Sequence, residues 1–307
     1  MKRGDMDIHP STVNASLVQF DARVLDPQLN LERMRALAVA QAAAGAQLIV
    51  FPELSNTGYV EPLEPGAAFS EASGGAHDYA LRLYQAAEPE GGPFTEMLCC
   101  VAREHGVHVV AGLALRHPVL SGAMYNASIL VGPQGVLGVY HKIHRWHLEK
   151  LYFIAGDTIS VQQTPFGRIG MQVCYDIRFP ELTRALMLQG ADIVTNVWAS
   201  FRQQDKPLED EQIFTHRAYT RAIENGVFFL SCNRAGRQGN CRFMGRSLIV
   251  APDGKVLAES RTEEEEVIQA ELDLSAVARY RSFVGLLTDR RPDVYARHGA
   301  APPLGAS

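Results

Sequence analysis

The sequence predicts an α/β fold, a mixed β-sheet covered by helices. Two observations carry this. Short apolar runs rich in Val, Ile, Leu or Phe alternate with longer stretches of helical spacing over most of the 307 residues. Two of the turns between such runs have hairpin chemistry, so strands pair locally as well as through helical connections.

Taken along the chain, residues 15–20 form the first predicted strand. A helix then begins at Asp26-Pro27, an N-cap residue followed by Pro at the first helical position. It carries Leu31, Met34, Leu37 and Ala38 at helical spacing and stops near Gly45. Strands follow at 48–51, 108–115 and 128–131. Cys99 and Cys100, which lie between the first two of these, read as small buried residues on a helix. The turn Gly132-Pro133-Gln134-Gly135 joins 128–131 to a strand at 136–141. A strand at 168–173 leads into a helix over 180–189 that stops at Gly190. Next come a strand at 193–197, a helix over 210–225 and strands at 227–232 and 247–251. The second hairpin turn, Pro252-Asp253-Gly254, leads to 255–258. Residues 261–266 (RTEEEE) read as a solvated acidic loop, and 299–307 as a mobile tail. No repeat or linker is visible. A single domain spanning 1–307 is expected, with a folded core over about 12–295 and short mobile tails.

Composition narrows the function. Hydrophobic residues make up 47% and charged residues 21%, as in a soluble globular protein with a sizeable core. The net charge of -5, without basic runs, gives no reason to expect nucleic-acid binding. No stretch approaches the ~18 consecutive apolar residues of a membrane span. The opening MKRGDMDIHPSTVN has no apolar signal region, and the five cysteines are an odd number, so a cytoplasmic, reducing setting is expected.

Three residues carry candidate chemistry. Cys174 ends the run GRIGMQVC and precedes YDIRFPE, which reads as strand, cysteine, sharp turn and helix. That geometry presents a nucleophile beside backbone N–H groups, although a buried inert cysteine fits the same pattern. Glu53 ends LIVFPE, placing a carboxylate at the C-terminal mouth of a strand, where it can serve as a base or as a loop ion-pair partner. Lys142 follows GVLGVYH and can stabilise a developing negative charge or stand as a solvated cation. His141, His144 and His147 are evenly spaced, but no carboxylate or cysteine lies at a spacing suited to a structural zinc site, so no metal is expected.

Together FPE, HKIH and CYDIRFPE, in this order, resemble the nitrilase-like carbon–nitrogen hydrolase family. The resemblance runs from Val18-Gln19 to Arg291-Pro292-Asp293-Val294-Tyr295. It includes Thr57-Gly58-Tyr59, Tyr125-Asn126, the stretch 196–200 and Gly245-Arg246-Ser247. It implies a four-layer αββα sandwich that pairs with a second copy into an αββααββα assembly, hence a homodimer or a higher homo-oligomer built on helices near 180–189 and 210–225. It also implies a mechanism. Glu53 takes the Cys174 proton, and the accessible, readily ionised sulfur attacks an amide carbon. Lys142 and the Tyr175 N–H hold the oxyanion, and a thioester forms and is hydrolysed. Glu149 matches a second glutamate that orients Lys142 or the substrate. Tyr59, Arg178, Trp198 and Ala199 are the remaining substrate-side candidates: Tyr59 at the entrance, Arg178 as a carboxylate clamp or a structural cation, and Trp198 facing the mouth. No cofactor is implied.

The triplet Cys174-Tyr175-Asp176 is similar to the amidase and carbamoylase branches rather than to the Cys-Trp-Glu of nitrilases. The short connection from Lys142 to Glu149 and the string HLEKLYF point in different directions between those two branches. Cleavage of a small amide is expected, with an N-carbamoyl compound, a nitrile or an inactive scaffold role as alternatives.

Overall fold

The computed structural model of the protein describes residues 12–59, 75–202, 212–238 and 241–298. The expected mobile tail and the first residues of the helix placed at 210–225 lie outside the described residues. The chain runs through Thr12–Gln19 (β1), Pro27–Ala43 (α1), Leu48–Phe51 (β2), Gly75–Ala86 (α2), Pro93–His105 (α3), His108–Arg116 (β3), Met124–Gly132 (β4) and Gly135–His141 (β5). Glu149–Tyr152 (α4), Val161–Thr164 (β6), Gly167–Val173 (β7), Pro180–Leu188 (α5), Ile193–Trp198 (β8), Phe201–Arg202 (β9), Ile213–Asn225 (α6) and Phe228–Asn233 (β10) follow. Arg237–Gln238 (β11), Cys241–Phe243 (β12), Leu248–Val250 (β13), Val256–Glu259 (β14), Glu266–Asp273 (β15), Ser275–Val284 (α7) and Pro292–Arg297 (α8) complete it.

Instead of one sheet there are two, each with six strands, in the orders β15-β1-β2-β3-β4-β5 and β14-β13-β10-β8-β7-β6. In each, three strands pair parallel with one another, and every flanking strand pairs antiparallel with its neighbour. Both predicted hairpins form, β4–β5 and β13–β14. A third, three-stranded sheet joins β11, β12 and β9.

Side-chain alternation explains the layering. Leu48 and Val50 of β2 point into a core shared with Val173, Ile193 and Val197 of the second sheet. Ile49 and Phe51, one residue out of phase, pack under α1 and α3 against Met34, Ala38, Leu98 and Val101. On the far side, Val194 and Phe229 meet Leu186 and Met187 of α5 and Ala218 and Ala222 of α6. The order is therefore helix, sheet, sheet, helix, the αββα sandwich. Strands covered on both faces need apolar residues at every position, which is why they read as continuous apolar runs. Each fully buried aliphatic side chain contributes about 1.5–3 kcal/mol. No helix among the described residues is long and apolar enough to cross a membrane.

Asp26 caps α1 as expected, accepting the Leu29 N–H. Other expectations change. Glu266 is the first residue of an eight-residue strand, and the residues before it are not simply solvated: Glu265 accepts the Asp21 N–H and pairs with Arg33, and Glu263 pairs with Arg242. The strand was hidden because only alternate residues, Ile268, Ala270 and Leu272, turn into the inter-sheet core, and Gln269, Glu271 and Asp273 interrupt them. Cys99 is half-buried and Cys100 exposed. The helix α3 buries Phe94, Met97, Leu98, Val101 and Ala102, so residue 100 falls on the opposite face of a 3.6-residue turn.

Candidate active site

Four segments end at one mouth. Glu53 lies two residues past β2, Lys142 follows β5, Cys174 follows β7 and Ala199 follows β8. Because β3–β4 and β4–β5 are both antiparallel, β5 runs in the same direction as β2, and Glu53 and Lys142 emerge at the same edge.

Gly112 of β3 permits the close approach that places Glu53. A Cβ there would stand 2.5 Å from both the Glu53 Cα and the Pro52 carbonyl oxygen. The Gly112 N–H donates to Pro52 O (3.2 Å), and Ser55 N–H donates to Gly112 O (2.7 Å). The Glu53 side chain is fully buried and held at both oxygens. Its Oε1 accepts Lys142 Nζ (2.7 Å) and Asn126 Nδ2 (2.7 Å), and Oε2 accepts the Ala199 N–H (2.8 Å).

Lys142 is 1% exposed. Its backbone is pinned on both sides, the N–H donating to Asn126 O (2.8 Å) and the carbonyl accepting from Gly156 N–H (2.9 Å). Its ammonium bridges Glu53 and Glu149, at 2.7 and 2.8 Å. Burial works against the charged form, but Cys174, Glu149 and Glu53 outweigh it and hold this ammonium well above the ordinary lysine range. Glu149 is also fully buried. It accepts the Tyr59 hydroxyl (2.6 Å) and the Trp146 N–H (3.1 Å). Burial raises its pKa, Lys142 opposes that, and Glu53 adds to it.

Cys174 is half-buried and adopts φ 49°, a left-handed conformation rare for a residue with a Cβ, at the start of the tight turn Cys174–Arg178. Burial and the negative charges of Glu53 and Glu149 push its thiol well up, against the pull of Lys142 and a backbone hydrogen bond with Ala199. The expectation of a readily ionised sulfur is thus corrected: burial first, and the two carboxylates with it, disfavour the thiolate against the pull of Lys142.

Glu53, Lys142, Glu149, Tyr59 and Ala199 are joined by hydrogen bonds, and Cys174 lies within their electrostatic reach. Tyr59 does not line an entrance. It is 3% exposed, packed on Phe201 and Phe243, with its hydroxyl committed to Glu149. The Trp198 ring lies edge-on to Phe214 just beyond Val197, which points to the inter-sheet core, so alternation turns the indole towards α6. Arg178 lies over the rings of Trp146 and Tyr175, at 5.2 and 5.5 Å. The three histidines do not converge. His141 stacks on Tyr125 at 3.8 Å and His144 pairs with Asp176 at 2.8 Å. Among the described residues no group of three His, Cys, Asp or Glu could hold a metal. Asn126 is the site residue that sequence reasoning passed over. Its only signal was its place in Tyr125-Asn126, since an amide inside an apolar strand does not reveal which carboxylate it meets.

The carbon–nitrogen hydrolase family profile matches residues 14–282. The chain is 33% identical over 291 residues to a protein of Pyrococcus abyssi named nitrilase, covering 93% of this chain and 100% of that one. It is 34% identical over 276 residues to an (R)-stereoselective amidase of Pseudomonas sp., covering 90% of each. A solved variant of the amidase from Nesterenkonia sp. AN1, showing covalent addition of the acetamide moiety of fluoroacetamide at the active site cysteine, is similar with a TM-score of 0.72 and 26% identity over 97% of this chain and 99% of that one.

Proposed function

Because the chain belongs to the carbon–nitrogen hydrolase family, we propose that it cleaves the C–N bond of a small linear amide through a thioester on Cys174, with Glu53 as base and Lys142 as the cation facing the oxyanion. The observation that carries the reading is the buried Lys142 ammonium, gripped by two carboxylates beside a half-buried cysteine in a left-handed turn.

The chemistry follows from these positions. The raised thiol pKa means that ionisation is coupled to attack: Glu53 takes the Sγ proton as sulfur bonds to the carbonyl carbon. An ammonium has three N–H donors. With two directed at Glu53 and Glu149, the third serves the carbonyl oxygen as it gains charge, together with the Tyr175 N–H. When the intermediate collapses, the C–N bond breaks and the leaving amine takes the proton held by Glu53. Water then attacks the thioester, giving a proton to Glu53. The carbon–sulfur bond breaks and the thiol is restored as the carboxylic acid leaves. Base, nucleophile and cation are all side chains, and no step calls on a cofactor. Glu149 and Tyr59 orient Lys142.

The relatives named amidase support an amide, and the Cys174-Tyr175-Asp176 triplet favours it over a nitrile. Ammonia release from primary amides, N-carbamoyl amino acids and nitriles tests the reading. Turnover is expected on amides. Release from nitriles alone would replace the reaction class, and silence on all three would favour an inactive scaffold.

A further inference from the structure

Asp176 has no part in the chemistry above, yet it is fully buried two residues after the nucleophile. Both of its oxygens are occupied. Oδ2 accepts the Val173 N–H (3.0 Å) and the Tyr140 hydroxyl (2.7 Å). Oδ1 accepts the His144 N–H (3.0 Å) and meets His144 Nδ1 (2.8 Å). Val173 immediately precedes Cys174, and Tyr140 and His144 stand two residues before and two after Lys142. One carboxylate therefore grips the chain at the nucleophile turn and on both sides of the lysine, across the two sheets. The His144 ring is in turn stacked on Phe179 (3.7 Å), at the start of α5.

We propose that Asp176 is a positioning residue that sets the distance between the Cys174 turn and the Lys142 segment. The inference rests on the reaction proposed above. The donor pattern makes it specific to a carboxylate. Two of the four partners are backbone N–H groups, fixed donors, and one faces each oxygen. The Tyr140 hydroxyl can rotate and the His144 ring can change tautomer, but neither backbone N–H can become an acceptor. An asparagine of the same shape must turn its NH2 towards one of them, and that side lets go.

Asp176→Asn is therefore expected to lower kcat on the order of 100-fold, the scale of a misplacement of about 1 Å, while KM moves less than about 3-fold. Tyr140→Phe removes one donor and keeps the ring, so a smaller loss, about 5-fold, with the same split is expected. Both are measured per folded enzyme, from melting curves and protein concentration. Hydrogen exchange gives a readout that needs no turnover: in Asp176→Asn the amide that faces the new NH2, Val173 or His144, should lose protection while the strand interiors keep theirs. A kcat per folded enzyme within about 2-fold of wild type in both variants overturns the proposal, as does a rise in KM in place of the fall in kcat, or unchanged protection at both segments. Should Asp176→Asn not fold, Tyr140→Phe carries the kinetic measurement. If the wild-type protein releases no ammonia from any amide, the proposed reaction fails, and the exchange measurement alone decides whether Asp176 couples the two segments.

Discussion

Cys174 holds its proton more tightly than an ordinary thiol because burial, Glu53 and Glu149 together outweigh Lys142. Two outcomes follow. Iodoacetamide at neutral pH should reach the exposed Cys100 before Cys174, and labelling of Cys174 should keep rising with pH past about 8.5, where a free thiol is half ionised. Peptide mass spectrometry separates the two sites, and a plateau for Cys174 below neutral pH would contradict the charge balance. Glu53→Gln removes one charge that opposes the thiolate and also removes the base, so Cys174 should label faster at the same pH while turnover is lost. Slower labelling in that variant would mean that Glu53 assists ionisation in the resting state. A second expectation concerns the nucleophile itself. Cys174→Ala should abolish turnover without unfolding the protein. Cys174→Ser should lose several orders of magnitude, each factor of ten being about 1.4 kcal/mol of transition-state stabilisation. Serine variants of Cys99 or Cys241, if folded, should retain turnover in the same assay.

At the scale of elements, strand ends do the positioning, and β3 shows how closely. Gly112 is the point where β3 passes under Pro52 and Glu53, and the nearest obstacles to a Cβ are backbone atoms rather than flexible side chains. Gly112→Ala should therefore push Glu53 away from Lys142 and Asn126. A stability loss of about 1–3 kcal/mol is expected from overpacking, with a larger proportional loss of kcat than a surface substitution of equal stability effect. Wild-type kcat in a folded Gly112→Ala protein would show that Glu53 does not need this approach. The apolar strands were legible because both faces are covered. The edge strand β15 was not, because it contributes only alternate positions to the core. The helices α7 and α8 were missed as well; α7 buries only Val277 and α8 buries no residue, so neither carries a broad apolar stripe.

At the scale of the whole molecule, the outer helical layer is not uniformly polar. Tyr219 on α6 is 40% exposed, and Phe283, Leu287 and Tyr295 near the C-terminal end of the described chain are 86%, 52% and 40% exposed. Large exposed apolar side chains on one part of a surface mark association more often than solvation. Exposed side chains of this kind are compatible with the homodimer that the family resemblance leads one to expect. Sedimentation should show a dimer or a multiple of it at micromolar concentration, and a monomer alone would remove this reading.

The sequence by itself determined the α/β class, the strand that ends at each candidate catalytic residue and the chemical identity of Glu53, Lys142 and Cys174, while the αββα layering came only through the family resemblance that its motifs carry. These are local facts: apolar runs, turn residues and short motifs read directly from neighbouring positions. The tertiary structure alone decided which groups meet. Asn126 reaches Glu53 across 73 residues, Tyr59 reaches Glu149 across 90 and Ala199 reaches Glu53 across 146. The same holds for the indole of Trp198, turned to α6, and for the protonation of Cys174. Side-chain direction depends on the register between sheets. A pKa depends on the sum of burial and charges that the fold gathers from distant segments, and neither is written in any single stretch of chain.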